Sequence, residues 1–123
     1  MTRYTEAFLR EIPKTDLHVH LDGSLRLSTL IELARERSVA LPSFTEEGLN
    51  ALVFKPSYKD LNEYLKGFGW TLKVLQDAEA LERASYELAM DNAAEGVRYL
   101  EIRFAPQLHM SRVFSFEQVL RAV

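Results

Sequence analysis

Two periodicities of hydrophobic and polar residues run along the chain, and the points where one gives way to the other mark its elements. From Lys14 to Gly23, Asp16, His18, His20 and Asp22 interleave strictly with Leu17, Val19 and Leu21. That period of two specifies a strand with one polar and one apolar face. A second such run covers Val97 to Ala105, with Tyr99, Glu101, Arg103 and Ala105 on one side and Leu100, Ile102 and Phe104 on the other. Pro106 has no N–H to give a ladder and ends it.

Between the two runs the period lengthens to that of helices. Leu27, Leu30, Ile31 and Ala34 recur at spacings of three and four, predicting a helix over Ser28 to Arg37 with Ser24 or Ser28 as its cap. Val39 to Pro56 reads as a loop holding one short helix, with Thr45 as cap and Glu46 and Glu47 in its first turn. Ser57 and Asp60 form a candidate capping box, after which Leu61, Tyr64, Leu65, Phe68, Leu72 and Leu75 mark one helical face, weakened in the middle by Gly67 and Gly69. A further helix starts at Asp77, runs through Leu81, Ala84, Leu88 and Ala89, and stops near Glu95 at Gly96. Beyond Pro106, Ser115 with Gln118 is another capping box and opens a last helix.

Strand, helices, strand, helix is the order of an α/β fold with parallel strands joined by right-handed crossovers. A central strand covered by helices on both sides is usually apolar throughout. Here each strand keeps a chargeable face, which fits a barrel: apolar side chains meet the outer helices and polar ones line the interior. The expectation is the N-terminal part of a (β/α)8 TIM-type barrel, two parallel strands with a helical insertion between them. Residues 1–123 then make a single incomplete domain, since a closed barrel needs eight strands and typically about 250 residues.

Composition narrows the chemistry. Fifteen basic residues against eighteen acidic ones leave a net charge of -3, and the basic residues are scattered, so no nucleic acid partner is expected. No stretch reaches the roughly 18 apolar residues of a membrane span. The opening, Met1 to Asp16, is broken by Arg3, Glu6, Arg10, Glu11 and Lys14 and lacks the apolar core of a signal peptide. With no cysteine, any metal must be held by nitrogen and oxygen, and a reducing cytoplasm is the expected location. Open strand edges predict self-association or pairing with the missing part of the barrel.

His18 and His20 are the candidate metal ligands. Residues i and i+2 of a strand share a side, about 6.5 to 7 Å apart along the chain, so two imidazoles can converge on one ion. A catalytic zinc site takes about three protein ligands, of which these are two. The competing reading makes them interior histidines bonded to a carboxylate such as Asp16 or Asp22. Their place near the end of a polar-faced strand, where barrel enzymes keep their reactive groups, favours the metal.

The segment Pro13-Lys14-Thr15-Asp16-Leu17-His18-Val19-His20-Leu21-Asp22-Gly23-Ser24 closely resembles the opening signature of the adenosine deaminase family, within the amidohydrolase superfamily. Glu95-Gly96-Val97-Arg98-Tyr99-Leu100-Glu101-Ile102-Arg103-Phe104-Ala105-Pro106 resembles that family's second barrel strand and its approach. The resemblance implies a zinc-dependent hydrolase that deaminates adenosine or a related aminopurine nucleoside, with one zinc ion per complete site. It makes His18 and His20 the zinc ligands of the first strand, lays His20 against the substrate as well, and gives Asp22 a hydrogen bond to a ribose hydroxyl. Relatives that prefer free adenine tend to carry Glu at the position of Asp22, which points to a nucleoside.

By the same resemblance Tyr64, Leu65 and Phe68 belong to a helix covering the purine pocket, although their spacing alone specifies only a buried face. Asp22-Gly23 is equally a common turn pair. Trp70 and Tyr58 read as packing or surface aromatics, Glu101 and Arg103 as a structural ion pair, and His109 as a loop histidine near the pocket. No catalytic acid or base is assigned within the chain, which by itself is expected to be inactive. Absent cysteine, the alternative zinc deaminase design with His and Cys ligands is excluded. Two other readings stay open: a different amidohydrolase-type deaminase, acting on adenine or aminofutalosine, and a non-catalytic fragment that self-associates.

Overall fold

The computed structural model describes residues 3–123, so the first two residues of the charged opening lie outside it. Helix α1 (Glu6–Glu11) precedes strand β1 (Lys14–His20); helices α2 (Leu27–Glu36), α3 (Glu46–Leu52), α4 (Leu61–Val74) and α5 (Ala78–Ala94) follow. Strand β2 (Val97–Arg103), a 3-10 turn (Pro106–Leu108) and helix α6 (Phe116–Ala122) complete the order. Strands β1 and β2 pair in parallel. Among the described residues no helix is long and apolar enough to cross a membrane.

Several helix boundaries follow from short-range hydrogen bonding. Thr45 accepts from the Gly48 N–H, Asp77 from the Ala80 N–H, and Ser115 exchanges bonds with Gln118 as a full capping box. Two caps differ from the sequence reading. Helix α4 is capped by Asp60, whose carboxylate accepts from Glu63 N at 2.9 Å while Glu63 reaches back to Lys59 N at 2.7 Å. The reciprocal pair thus sits three residues later than a Ser57 cap would place it. Helix α2 starts after Arg26, which makes no side-chain cap, while the Ser24 hydroxyl donates to the His20 carbonyl.

Helix α1 has no counterpart in the sequence reading. It is a six-residue turn capped by Thr5, with no buried residue, so no apolar periodicity announces it. Its far end rests on Gly96, whose φ of +85° is left-handed and where an added Cβ would come 2.2 Å from the Arg10 carbonyl oxygen. The Lys14 N–H donates to the Gly96 carbonyl at 3.0 Å, so this one glycine joins α1 to the start of the strand pair.

The core lies between the helices and the apolar face of the sheet. Leu21, Leu30, Leu33, Leu49, Val74, Leu75, Leu81 and Val119 are buried, and Val19, Leu100, Ile102 and Phe104 pack against them from the strands. Leu17 departs from this plan and stays 55% exposed. The register gives the reason. Lys14 pairs with Val97 and His20 with Arg103, but between them Thr15 faces Tyr99, Asp16 faces Leu100 and Val19 faces Ile102. An extra residue in β2 near Arg98 is offset by an extra residue in β1 at Leu17 and His18, so the ends of the strands stay in step while the middle slips. A one-residue slip exchanges the faces of a strand, which takes Leu17 off the covered side.

Candidate active site

The end of β1 carries the site. Past His20 the backbone turns through Leu21–Gly23, held by Ser24 N–H donating to the Leu21 carbonyl at 3.2 Å and the Ser24 hydroxyl donating to the His20 carbonyl at 2.6 Å. The pairing continues one residue further on the β2 side, where Leu21 N–H donates to Arg103 O at 3.0 Å. His18 and His20 are exposed on the same side, their rings 5.2 Å apart between centroids, with the two Nε2 atoms 3.3 Å apart.

That separation tests whether these donors fit a metal. Two nitrogens bound at about 2.0 to 2.1 Å to one tetrahedral zinc lie about 3.3 to 3.4 Å from each other. The imidazoles therefore already stand at the spacing of two ligands sharing an ion, and neutral imidazole is a suitable donor. Two is also all the chain brings together: among the described residues no group of three or more His, Asp or Glu could hold a metal.

Beside His20 lies a small cavity of about 40 Å³ lined by Asp22, Gly23, Phe54, Tyr58, Tyr64, Gly67, Phe68 and Thr71. Asp22 is 6% exposed, and its Oδ1 is buried with no hydrogen-bond partner. A carboxylate oxygen so placed costs free energy until a donor reaches it, which suits a ligand hydroxyl. The Asp-Gly turn and the buried carboxylate thus coexist. Gly23 leaves room for the neighbouring ring: a Cβ there would stand 3.0 Å from Phe68 Cζ, so Phe68 would have to shift by a few tenths of an ångström.

The cavity wall is a chain of edge-to-face aromatic contacts: Tyr58 on Tyr64 at 5.2 Å, Tyr64 on Phe68 at 5.7 Å, and Phe68 on His20 at 6.2 Å. Helix α4 contributes Tyr64, Phe68 and Thr71 at helical spacing, which turns Leu65 away from this cavity to 47% exposure. Tyr58, read from sequence as a packing or surface aromatic, lines the cavity from the loop before α4, where no periodicity could flag it. Trp70 lies elsewhere, under the Lys73 ammonium at 4.0 Å. A larger hollow of about 380 Å³, bounded by Pro42, Leu52, Lys55, Lys66 and Trp70 among others, is lined by neither His18 nor His20.

Three other polar groups were singled out by sequence. Glu101 and Arg103 stand 3.9 Å apart, a loose pair with both side chains about half exposed, at 43% and 52%. Glu101 also accepts from the Tyr99 hydroxyl at 3.0 Å, and that hydrogen bond to a carboxylate raises the Tyr99 pKa. His109 lies in the loop just after the 3-10 turn and is fully buried there; its Nδ1 lies 2.6 Å from the Leu75 carbonyl at the end of α4, and its Nε2 has no partner.

Comparison with known proteins agrees with this layout. The sequence profile of the family described as Adenosine deaminase matches residues 13–123. The chain is 47% identical over 114 residues to the adenosine deaminase of Shewanella pealeana, covering 92% of this chain and 34% of that protein. Its structure resembles the adenine deaminase of Arthrobacter aurescens at a TM-score of 0.74 and 28% identity, over 88% of this chain and 33% of that one. It also resembles Arabidopsis ADAL complexed with GMP, at a TM-score of 0.68 and 31% identity over 94% of this chain and 34% of that one. The two parallel strands and their helices are accordingly the opening part of a (β/α)8 barrel. The chain spans about a third of the length of these relatives, and it belongs to the adenosine deaminase family.

Proposed function

We propose that this chain forms the first-strand side of the active site of a zinc-dependent enzyme that hydrolytically deaminates adenosine or a related aminopurine nucleoside. In that reaction a water oxygen bonds to purine C6 and ammonia leaves. The observation that carries the reading is the 3.3 Å separation of His18 Nε2 and His20 Nε2 on a strand end next to a buried, unpartnered carboxylate. Zinc held there supplies Lewis acidity, by which water becomes nucleophilic near neutral pH.

The chain's own residues act by binding and orientation. His18 and His20 would hold the ion, with the His20 ring also lying along the substrate. Asp22 Oδ1 would accept a ribose hydroxyl, which the free base lacks, and this favours a nucleoside. Tyr64 and Phe68, joined by Tyr58, would give the purine an apolar wall that keeps water from its face. Leu65, exposed on the same helix outside the small cavity, would extend this wall toward solvent. No group among the described residues is assigned to protonating the ring.

The test is metal content and turnover of the full-length protein, followed by the fall in absorbance when aminopurines lose ammonia. Stoichiometric zinc that disappears in His18→Ala, with adenosine consumed far faster than adenine, is the expected result. Full occupancy by zinc in the His18→Ala protein, or no activity on any aminopurine, would refute the reading. The purified 123-residue chain should turn over nothing, because it brings only two ligands together.

A further inference from the structure

Asp16 was a candidate partner for the histidine rings, and it does something else. Its Oδ1 accepts from the backbone N–H of His18 at 3.2 Å. Neither ring nitrogen facing across the 3.3 Å gap is engaged by it. Carboxylates near metal-binding histidines commonly orient the ring through its second nitrogen. Here the carboxylate holds the main chain instead.

The register explains why the main chain needs holding. From Asp16 to Val19, β1 advances three residues while β2 advances two, from Leu100 to Ile102, so Leu17 and His18 share the space of one ladder position. An extra residue is left outside the ladder, the strand twists locally, and a side chain is aimed anew. A backbone N–H at such an irregularity is open to a side-chain acceptor nearby in the chain. Asp16, two residues back, supplies it by the short loop-closing bond that aspartate makes readily with the N–H two residues on.

A regular strand would set the His18 and His20 side chains about 6.5 to 7 Å apart along the chain. Their Nε2 atoms converge to 3.3 Å, and the irregular stretch, Leu17 and His18, contains the first of the two rings.

We propose that Asp16 is a positioning residue: by accepting the His18 N–H it fixes the bulge in β1 that turns the His18 ring toward His20, and so sets the affinity for a divalent metal without touching it. This rests on the metal-site reading given above.

Two measurements on the full-length protein test it. The first is zinc affinity by competition with a chromogenic chelator. The second is hydrogen exchange of the His18 amide in metal-free protein, which needs neither zinc nor activity. Asp16→Ala is expected to weaken zinc binding about 10- to 100-fold, the usual cost of losing an outer-shell partner, and to speed His18 exchange about tenfold or more. Asp16→Asn keeps an oxygen at the same place and should stay within about threefold of wild type in both.

Unchanged zinc affinity and unchanged exchange in Asp16→Ala would overturn the proposal. So would an Asp16→Asn protein as impaired as Asp16→Ala, which would assign the effect to the negative charge. If Asp16→Ala does not fold, Asp16→Val, which suits a strand, takes its place with the same expectations. A wild-type protein that takes no zinc would refute the metal-site reading, whereas His18 exchange would still decide whether Asp16 holds the bulge.

Discussion

Replacing Gly96 by alanine should be among the most damaging single changes outside the site, for two separable reasons. The residue holds φ at +85°, a conformation that costs an L side chain about 1–2 kcal/mol. An added Cβ would also stand 2.2 Å from the Arg10 carbonyl oxygen and 3.0 Å from that of Ile12, so α1 must move off the strands. That displacement disturbs the Lys14 N–H bond to the Gly96 carbonyl at the first rung of the ladder, worth about 1 kcal/mol. The sum is about 2–3 kcal/mol. With a urea m-value of about 1.5 kcal/mol/M, the unfolding midpoint falls by about 1.3–2 M. Gly96→Asn separates the causes: asparagine tolerates left-handed φ but meets the same carbonyl, so it recovers only about 1 kcal/mol. Urea unfolding followed by circular dichroism reads both variants. A midpoint within about 0.3 M of wild type for Gly96→Ala would refute the argument, and equal loss in both variants would remove the φ contribution from it.

Two further outcomes concern helix ends. Ser38 closes α2 at φ 54°, with Val39 N–H donating to Ala34 O at 2.8 Å and Ser38 N–H to Arg35 O at 3.3 Å, the pattern of a glycine-preferring C-terminal cap. Ser38→Gly should therefore raise stability by about 1 kcal/mol in the same assay, and a loss would contradict it. Asp77 caps α5 and receives a two-pronged bond from Arg37, at 2.7 and 2.9 Å. That bond, partly opposed by burial, lowers the Asp77 pKa. A carboxylate with a lowered folded-state pKa adds stability above its unfolded value of about 3.9 and loses it as pH falls through the folded value. Asp77→Ala should cost about 1–2 kcal/mol at pH 7, mostly the cap because the side chain is 46% exposed. Measured in acid unfolding series, the gap to wild type should close below about pH 4, and a gap independent of pH would contradict the assignment.

Much of this arrangement was legible in the chain itself. Alternation over Lys14 to Gly23 and Val97 to Ala105 located both strands, the caps at Thr45, Asp77 and Ser115 located three helix starts, and Gly96 located a stop. These are short-range signals, carried by period and by side chains bonding a backbone three residues away, so they need no knowledge of the rest of the molecule. The spacing of His18 and His20 likewise put two imidazoles on one side of a strand.

What tertiary structure alone decided is finer. The compensating irregularities at Arg98 and at Leu17 and His18 arise only when β1 meets β2, because register is a property of a pair. That slip uncovers Leu17, and it lies where Asp16 accepts the His18 N–H. Tyr58 joins the aromatic wall from a loop, Leu65 stays outside the small cavity, and His109 is buried against the Leu75 carbonyl, each set by how α4 and its ends meet segments distant in the chain. Sequence period can say which residues share a face, but which neighbour that face meets depends on packing between segments far apart in the chain.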